Sequence, residues 1–200
     1  LVILAVGMTL VVSSSAGTDI SVGAIMAVSA AVCCNILTGG ERAVTAYANP
    51  LILGFIAALV VGAAIGCFNG FLVSKLNIQP MVATLIMFTA GRGIAQLITD
   101  GQITYVRVDS YRVLGASFPG FPVPTPFIVA VLVVALTSLL LKKTALGMYI
   151  QSVGINKRAS QLVGIKSVLI IFLTYAYCGL CSGLAGLIAS SRIYSADANN

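Results

Sequence analysis

Few side chains in this sequence are equipped for chemistry, and most of those lie within or beside apolar stretches. Asp19 and Ser21 follow a run of serines, while Asn69, Thr84, Arg92 and Gln96 punctuate segments that are otherwise hydrocarbon. Together they offer carboxylate, hydroxyl, amide and guanidinium groups, the donors and acceptors that hold a polar solute or stabilise an interrupted backbone. Covalent catalysis is poorly provided for: the sequence has no His and shows no carboxylate pair or convincing nucleophile beside a base. The five cysteines, Cys33, Cys34, Cys67, Cys178 and Cys181, all fall in apolar runs. They read as small packing residues, the C-x-x-C of Cys178 and Cys181 included, and neither a disulfide framework nor a metal site is expected.

The elements that position these groups follow from composition. Of 200 residues 59% are hydrophobic and 8% charged, against roughly 25% charged in soluble domains. Sixteen charged side chains cannot cover a water-facing surface, and disorder requires low hydrophobicity, so both classes are excluded. Six apolar runs can be marked, at residues 1–12, 20–37, 51–73, 81–98, 127–141 and 168–191. Several approach the length of about 20 residues that a helix needs to span a bilayer, and residues 51–73 carry no charge at all. Barrel strands would instead alternate over about 10 residues. The expected fold is all-α, a polytopic bundle with five to six membrane segments forming one domain over residues 1–200. Residue 1 is Leu inside an apolar run, so the sequence is expected to be part of a longer chain, truncated at both ends.

Residues 13–19 read SSSAGTD, a polar, helix-unfriendly interval between two short apolar runs. The reading adopted is one discontinuous helix, an irregularity tolerated in a membrane only where it is packed in protein or lines a wet cavity. Gly62, Gly66 and Gly70 make a small-residue face, as do Gly179, Gly183 and Gly186, which suits close helix packing.

Charge fixes the orientation. With Lys75 and residues 142–166 on the cytoplasmic side, that side holds Lys75, Lys142, Lys143, Lys157, Arg158 and Lys166 and no acid, leaving five basic and five acidic residues elsewhere. This is a positive-inside pattern; it accounts for the net charge of +6 without nucleic acid as a partner. Residues 38–50, 99–126 and 196–200 then lie outside, the second rich in Gly and Pro turns.

The segment 142–167 is longer than a connection between spans requires. Within it Asn156 is expected to cap a short helix, with Gly164 as its stop, so that residues 156–164 form an amphipathic unit. Ala159 and Leu162 give it an apolar strip beside Lys157 and Arg158. Such a helix lies on the lipid surface, closes a loop, or serves as a peg for a soluble partner; the residues alone leave these open.

TALGMYI followed by VGINKRASQLVGI, in that segment, resembles the cytoplasmic coupling region of permeases from bacterial ATP-binding-cassette sugar importers of the ribose, galactose and galactofuranose type. GTDISVG at 17–23, NGFLVSKLNIQPMVATL at 69–85, AGRGIAQLIT at 90–99 and the closing SADANN are similar to the same family in the same order, the last especially to galactofuranose-type permeases. Where many relatives have two glycines and an isoleucine before the aspartate, this sequence has Ala16, Gly17 and Thr18. The resemblance implies a multi-pass subunit of the bacterial inner membrane that translocates a pentose or furanose hexose. It also implies a second permease, cytoplasmic ATPases and an external sugar-binding protein as partners. No G-x-x-x-x-G-K-[ST] phosphate loop occurs, so this chain is expected to carry no cofactor and no enzymatic activity, with ATP and Mg held by the ATPase.

On this reading Gly154, Asn156, Lys157, Arg158, Ala159, Leu162 and Gly164 couple to the ATPase, and Asp19, Ser21, Asn69, Thr84 and Gln96 are the candidate substrate-pathway residues. For Asp19 and Ser21 a role in stabilising the break competes with solute contact. Arg92 is expected to snorkel outward or pair with Asp100. The competing functions are a branched-chain amino acid permease of similar architecture, a secondary transporter, for which a broken helix also speaks, and, least favoured, a membrane-embedded enzyme.

Overall fold

A computed structural model describes residues 1–112, 115–116 and 123–196. Its elements in chain order are α1 (Val2–Ser15), α2 (Val22–Thr38), β1 (Ala43–Val44), α3 (Leu51–Ser74), α4 (Pro80–Ile98), β2 (Thr104–Val106), α5 (Asp109–Arg112), α6 (Thr125–Lys143), α7 (Ala145–Ile155), α8 (Lys157–Leu162), α9 (Ser167–Ile193) and β3 (Ser195–Ala196). Four of the helices, α3, α4, α6 and α9, are long and apolar enough to cross a membrane, and α1, α2 and α7 are shorter apolar helices. The chain is an all-α polytopic membrane protein. Proline sets two of the starts: Pro80 opens α4 and Pro126 sits in the first turn of α6, where a missing N–H costs nothing.

The 27-residue α9 is the central post, with α1, α2 and α3 against it. The two glycine faces meet here. A Cβ on Gly62 would stand 3.1 Å from Gly183 Cα, and one on Gly66 would stand 2.9 Å from Gly179 Cα, so only hydrogen fits between these backbones. Cys178 and Cys181 occupy the matching small positions opposite Gly7 of α1. All five cysteines are free.

Contacts along the helices give their directions. Gly7 lies beside Cys181 and Ser14 Oγ is 2.8 Å from Thr174 Oγ1, so α1 runs antiparallel to α9. Gly62 faces Gly183 and Gly70 faces Phe172, which makes α3 antiparallel to α9 as well. Ser21 meets Asn69 whereas Leu37 meets Gly54, so α2 opposes α3. The chain is therefore interrupted where the serines and Asp19 predict, but the two flanking helices fold back as a hairpin instead of continuing through as halves of one helix. Ala16 takes a left-handed conformation at φ 52°, which stops α1, and the seating of Gly17 on Pro80 and of Ser14 on Thr174 sets the sense of the turn.

At the end away from the lysines, a small sheet in the order β1-β2-β3 joins the segments that charge placed on one side. β1 pairs parallel to β2 and β3 antiparallel to it. An all-helical reading does not foresee this sheet, because two- and three-residue strands carry no periodicity. The fully buried Tyr111 of α5 anchors the same end, its hydroxyl 2.6 Å from Ser190 Oγ. The family-like tail residues Asp197, Asn199 and Asn200 lie outside the described residues, as do Pro119, Gly120 and Pro122.

Candidate functional site

The hairpin turn at residues 16–21 gathers most of the polar groups singled out in the sequence. Ser13, Ser14 and Ser15 donate to the carbonyls of Thr9 (2.7 Å), Val11 (3.1 Å) and Val11 (2.9 Å), so the last turn of α1 keeps its hydroxyls satisfied within the protein. Asp19 restarts the chain. Its Oδ1 accepts from the Ser21 amide at 2.9 Å and the Ser21 hydroxyl at 2.6 Å, and Ser21 Oγ in turn accepts from Asn69 Nδ2 at 2.8 Å. Across the turn, Thr84 Oγ1 donates to the Pro80 carbonyl at 2.9 Å and accepts from the Ile20 amide at 3.2 Å. Asp19 is 1% exposed, and Ser21, Asn69 and Thr84 are fully buried.

Four of the five pathway candidates thus form one buried clamp that fastens the turn to α3 and α4. The carboxylate accepts two hydrogen bonds from Ser21, whose hydroxyl is held in turn by Asn69, a charge-assisted arrangement suited to a low-dielectric interior. Asn69 Oδ1 finds no hydrogen-bond partner among the described residues. Gly17 is required by this seating, since a Cβ there would overlap the Pro80 ring. Thr18 is exposed.

Sequence reasoning missed three members of the neighbourhood. Thr174 reaches Ser14 at 2.8 Å, Tyr175 is fully buried beside Ser15, and Cys178 lies against Asp19. All three sit on the long α9, where a serial reading treats them as ordinary core.

Gln96 is not part of the clamp. It is exposed on the outer half of α4, lining an open recess of about 580 Å³ with Gly93, Asp100 and Gly101. Arg92 shares its face. Its guanidinium lies 4.7 Å over the ring of Phe88, so it folds back toward the middle of the helix instead of snorkelling outward or pairing with Asp100.

The second assembly stands at the lysine-rich end. Asn156 caps α8, its side chain accepting from the Ala159 amide at 3.0 Å, and Gly164 follows with φ +88°. Lys157 is turned inward and donates to Asn77 Oδ1 at 2.8 Å. Arg158 and Ala159 face out with Ile155 (87% exposed), Leu162 (90%) and Val163 (82%). Leu162 and Val163 therefore project beyond the bundle, uncovered among the described residues.

The two assemblies touch. Gly154 of α7 packs on the carbonyl of Ser13, leaving no room for a Cβ. Between them lies a cavity of about 330 Å³ lined by Ser14, Ser15, Asn77, Gln79, Gly154 and Lys157, among others.

Residues 1–200 match the family described as branched-chain amino acid transport system / permease component. The chain belongs to that family. Among curated relatives of this permease, the galactofuranose transporter permease protein of Escherichia coli K12 is 46% identical over 198 residues, covering 99% of this chain and 55% of that protein. The fructose import permease protein of Bifidobacterium longum is 44% identical over 201 residues, covering 97% and 53%. The ribose import permease protein of Escherichia coli K12 is 37% identical over 198 residues, covering 97% and 59%. This permease chain spans only a little over half the length of these relatives. No solved structure matches. Family membership and the apolar helices make it a multi-pass protein of the bacterial inner membrane.

Proposed function

We propose that this permease is a membrane subunit of an ATP-binding-cassette importer that carries a monosaccharide, a pentose or a furanose hexose, across the inner membrane. The observation that carries the reading is the Gly154–Ser13 contact, which joins an outward-facing peg to a turn buried in the membrane. The peg, residues 156–164 with Gly154 behind it, docks a cytoplasmic ATPase that binds ATP and Mg. An extracytoplasmic sugar-binding protein delivers the solute, and a second permease subunit completes the assembly. No covalent step is assigned to this chain.

The exposed Leu162 and Val163 support docking over a loop-closing role, since a helix that merely closed a loop would turn its apolar side chains inward. A helix lying on lipid would not need Lys157 latched to Asn77 or α7 seated on the turn. The mechanism follows from rigid elements: closure of the ATPase domains moves α8, α7 carries the motion to Ser13, and the hairpin held by Asp19, Ser21, Asn69 and Thr84 shifts between two seatings, an alternating-access scheme.

The family description names branched-chain amino acids, whereas the relatives at 46%, 44% and 37% identity carry sugar names. The distinguishing experiment isolates the full transporter from its native membrane and identifies the solute on the copurifying binding protein. A monosaccharide is the expected result. A bound leucine or valine would overturn the sugar assignment, and the absence of a copurifying ATPase together with ion-gradient-driven uptake would replace the importer with a secondary transporter.

A further inference from the structure

The face of α4 that looks away from the bundle differs from the other outward faces. α6 presents Phe127, Val131, Leu132, Leu136 and Leu139, and α3 presents Ile52, Ile56, Val60 and Phe68, all apolar and all suited to lipid. On α4, packing against α2 uses Ala83, Met87, Gly91 and Ala95, with a Cβ at Gly91 meeting that of Ala24 at 3.0 Å. The opposite side carries Thr89, Arg92 and Gln96, all exposed, set among the exposed apolar Val82, Leu85, Ile86 and Leu97.

Depth decides what this stripe means. α4 has 19 residues, about 28 Å at 1.5 Å per residue, and Phe88 stands midway along it. Side chains on a helix lean toward its N-terminus, and Arg92 does so, resting its guanidinium over the Phe88 ring at 4.7 Å. The charge is thereby held near the middle of α4, which in a spanning helix of this length corresponds to mid-depth. It makes no ion pair among the described residues. Neither lipid nor a dry apolar partner accommodates an unpaired guanidinium at that depth, so the stripe requires water or a polar ligand.

We propose that the Thr89–Arg92–Gln96 face of α4 lines the aqueous sugar pathway, with Arg92 and Gln96 hydrogen-bonding the passing sugar. This rests on the function proposed above and names the residues that carry it. The guanidinium presents a planar fork of N–H donors and the Gln96 amide offers both donor and acceptor, which suits a ligand whose hydroxyls do both. Phe88 is a positioning residue: its ring holds the guanidinium at mid-depth. The open recess beside Gly93, Gln96 and Asp100 leads from this stripe toward the outer end. The Asp19 clamp, by contrast, is internally bonded and works as a fastening.

The test is reaction of introduced cysteines with a membrane-impermeant charged methanethiosulfonate, added outside, in the complete transporter in proteoliposomes. Thr89→Cys, Arg92→Cys and Gln96→Cys are compared with Leu136→Cys on the lipid face of α6 and with the unsubstituted protein as background. The α4 positions are expected to react at least about tenfold faster than Leu136→Cys, because the reagent attacks only a thiolate in water. Ribose, fructose or galactose supplied with the binding protein should slow the reaction at positions 92 and 96. Separately, Arg92→Gln should raise the KM for sugar uptake by about tenfold or more, the loss expected for a charge-assisted hydrogen bond. Rates at all three positions equal to Leu136→Cys would overturn the proposal. Fast reaction slowed by leucine and by no sugar would keep the aqueous face but overturn its assignment to sugar, together with the function above.

Discussion

Gly154 of α7 rests on the carbonyl oxygen of Ser13, so closely that no side chain larger than hydrogen fits. Ser13 belongs to the final turn of α1, immediately before the left-handed Ala16 and the buried clamp at Asp19. The helix behind the peg and the turn are therefore in direct contact, through this backbone approach and through Leu10 and Val11 clustered with Ile150 and Val153.

Gly154→Val should force α7 away from α1, at the cost of about 1–3 kcal/mol typical of overpacking. The expected phenotype is a permease that inserts and assembles but hydrolyses ATP without proportionate uptake. The ratio of sugar transported to ATP hydrolysed in proteoliposomes checks this, and a wild-type ratio would show that the contact transmits nothing.

The clamp makes a different prediction. Asp19→Asn removes the carboxylate that accepts two hydrogen bonds from Ser21, itself held by Asn69, and should lower stability by about 1.5–3 kcal/mol, read as a reduced melting temperature of the purified complex. Because Asp19 is 1% exposed and already satisfied, the KM for sugar should stay within about twofold among properly folded molecules. A normal melting temperature with a strongly raised KM would move Asp19 from fastening to pathway.

Lys157 and Asn77 lend themselves to a double-mutant cycle. Asn77 is left-handed at φ 53°, so Asn77→Gly retains the backbone conformation while deleting the acceptor. Lys157→Met keeps most of the stem and deletes the donor. The bond is exposed, and a coupling energy of about 0.5–1 kcal/mol in the stability of the complex is expected. Strict additivity would make the 2.8 Å bond energetically idle.

Ala16 carries a Cβ in a conformation that disfavours one by about 1–2 kcal/mol. Its side chain is exposed at the edge of the cavity beside Gly154. Ala16→Gly should therefore raise the melting temperature slightly, by the equivalent of up to about 1 kcal/mol after the greater chain entropy of glycine is discounted. A clear loss of stability would mean that the turn depends on the methyl group.

Much of this architecture is legible from the chain. Runs of hydrocarbon residues mark the spans, Lys75 and Lys142–Lys166 mark one face, and Asn156 and Gly164 bracket α8 because capping and left-handed stops are local properties. Residues 13–19 likewise announce an interruption. What they do not encode locally is its sense: a straight-through break and a hairpin have the same polar interval, and only the seating of Gly17 on Pro80 and of Ser14 on Thr174, sixty or more residues away, decides for the hairpin. The clamp was half visible for the same reason. Asp19 and Ser21 stand out as neighbours of a break, but their links to Asn69 and Thr84 are tertiary, and Tyr175 and Cys178 look like core until the helices are assembled. Gln96 illustrates the converse, a polar residue in an apolar run that the fold keeps apart from the others.

In the proposed scheme energy enters at the exposed apolar tip of α8 and reaches the buried turn. Leu162, 90% exposed, can be changed without disturbing the fold of this chain. The most direct measurement is sugar-stimulated ATPase activity of the complete transporter carrying Leu162→Asp, reconstituted with its binding protein. Stimulation is expected to be lost while the permease remains inserted; unchanged stimulation would mean that α8 does not couple the ATPase to the turn.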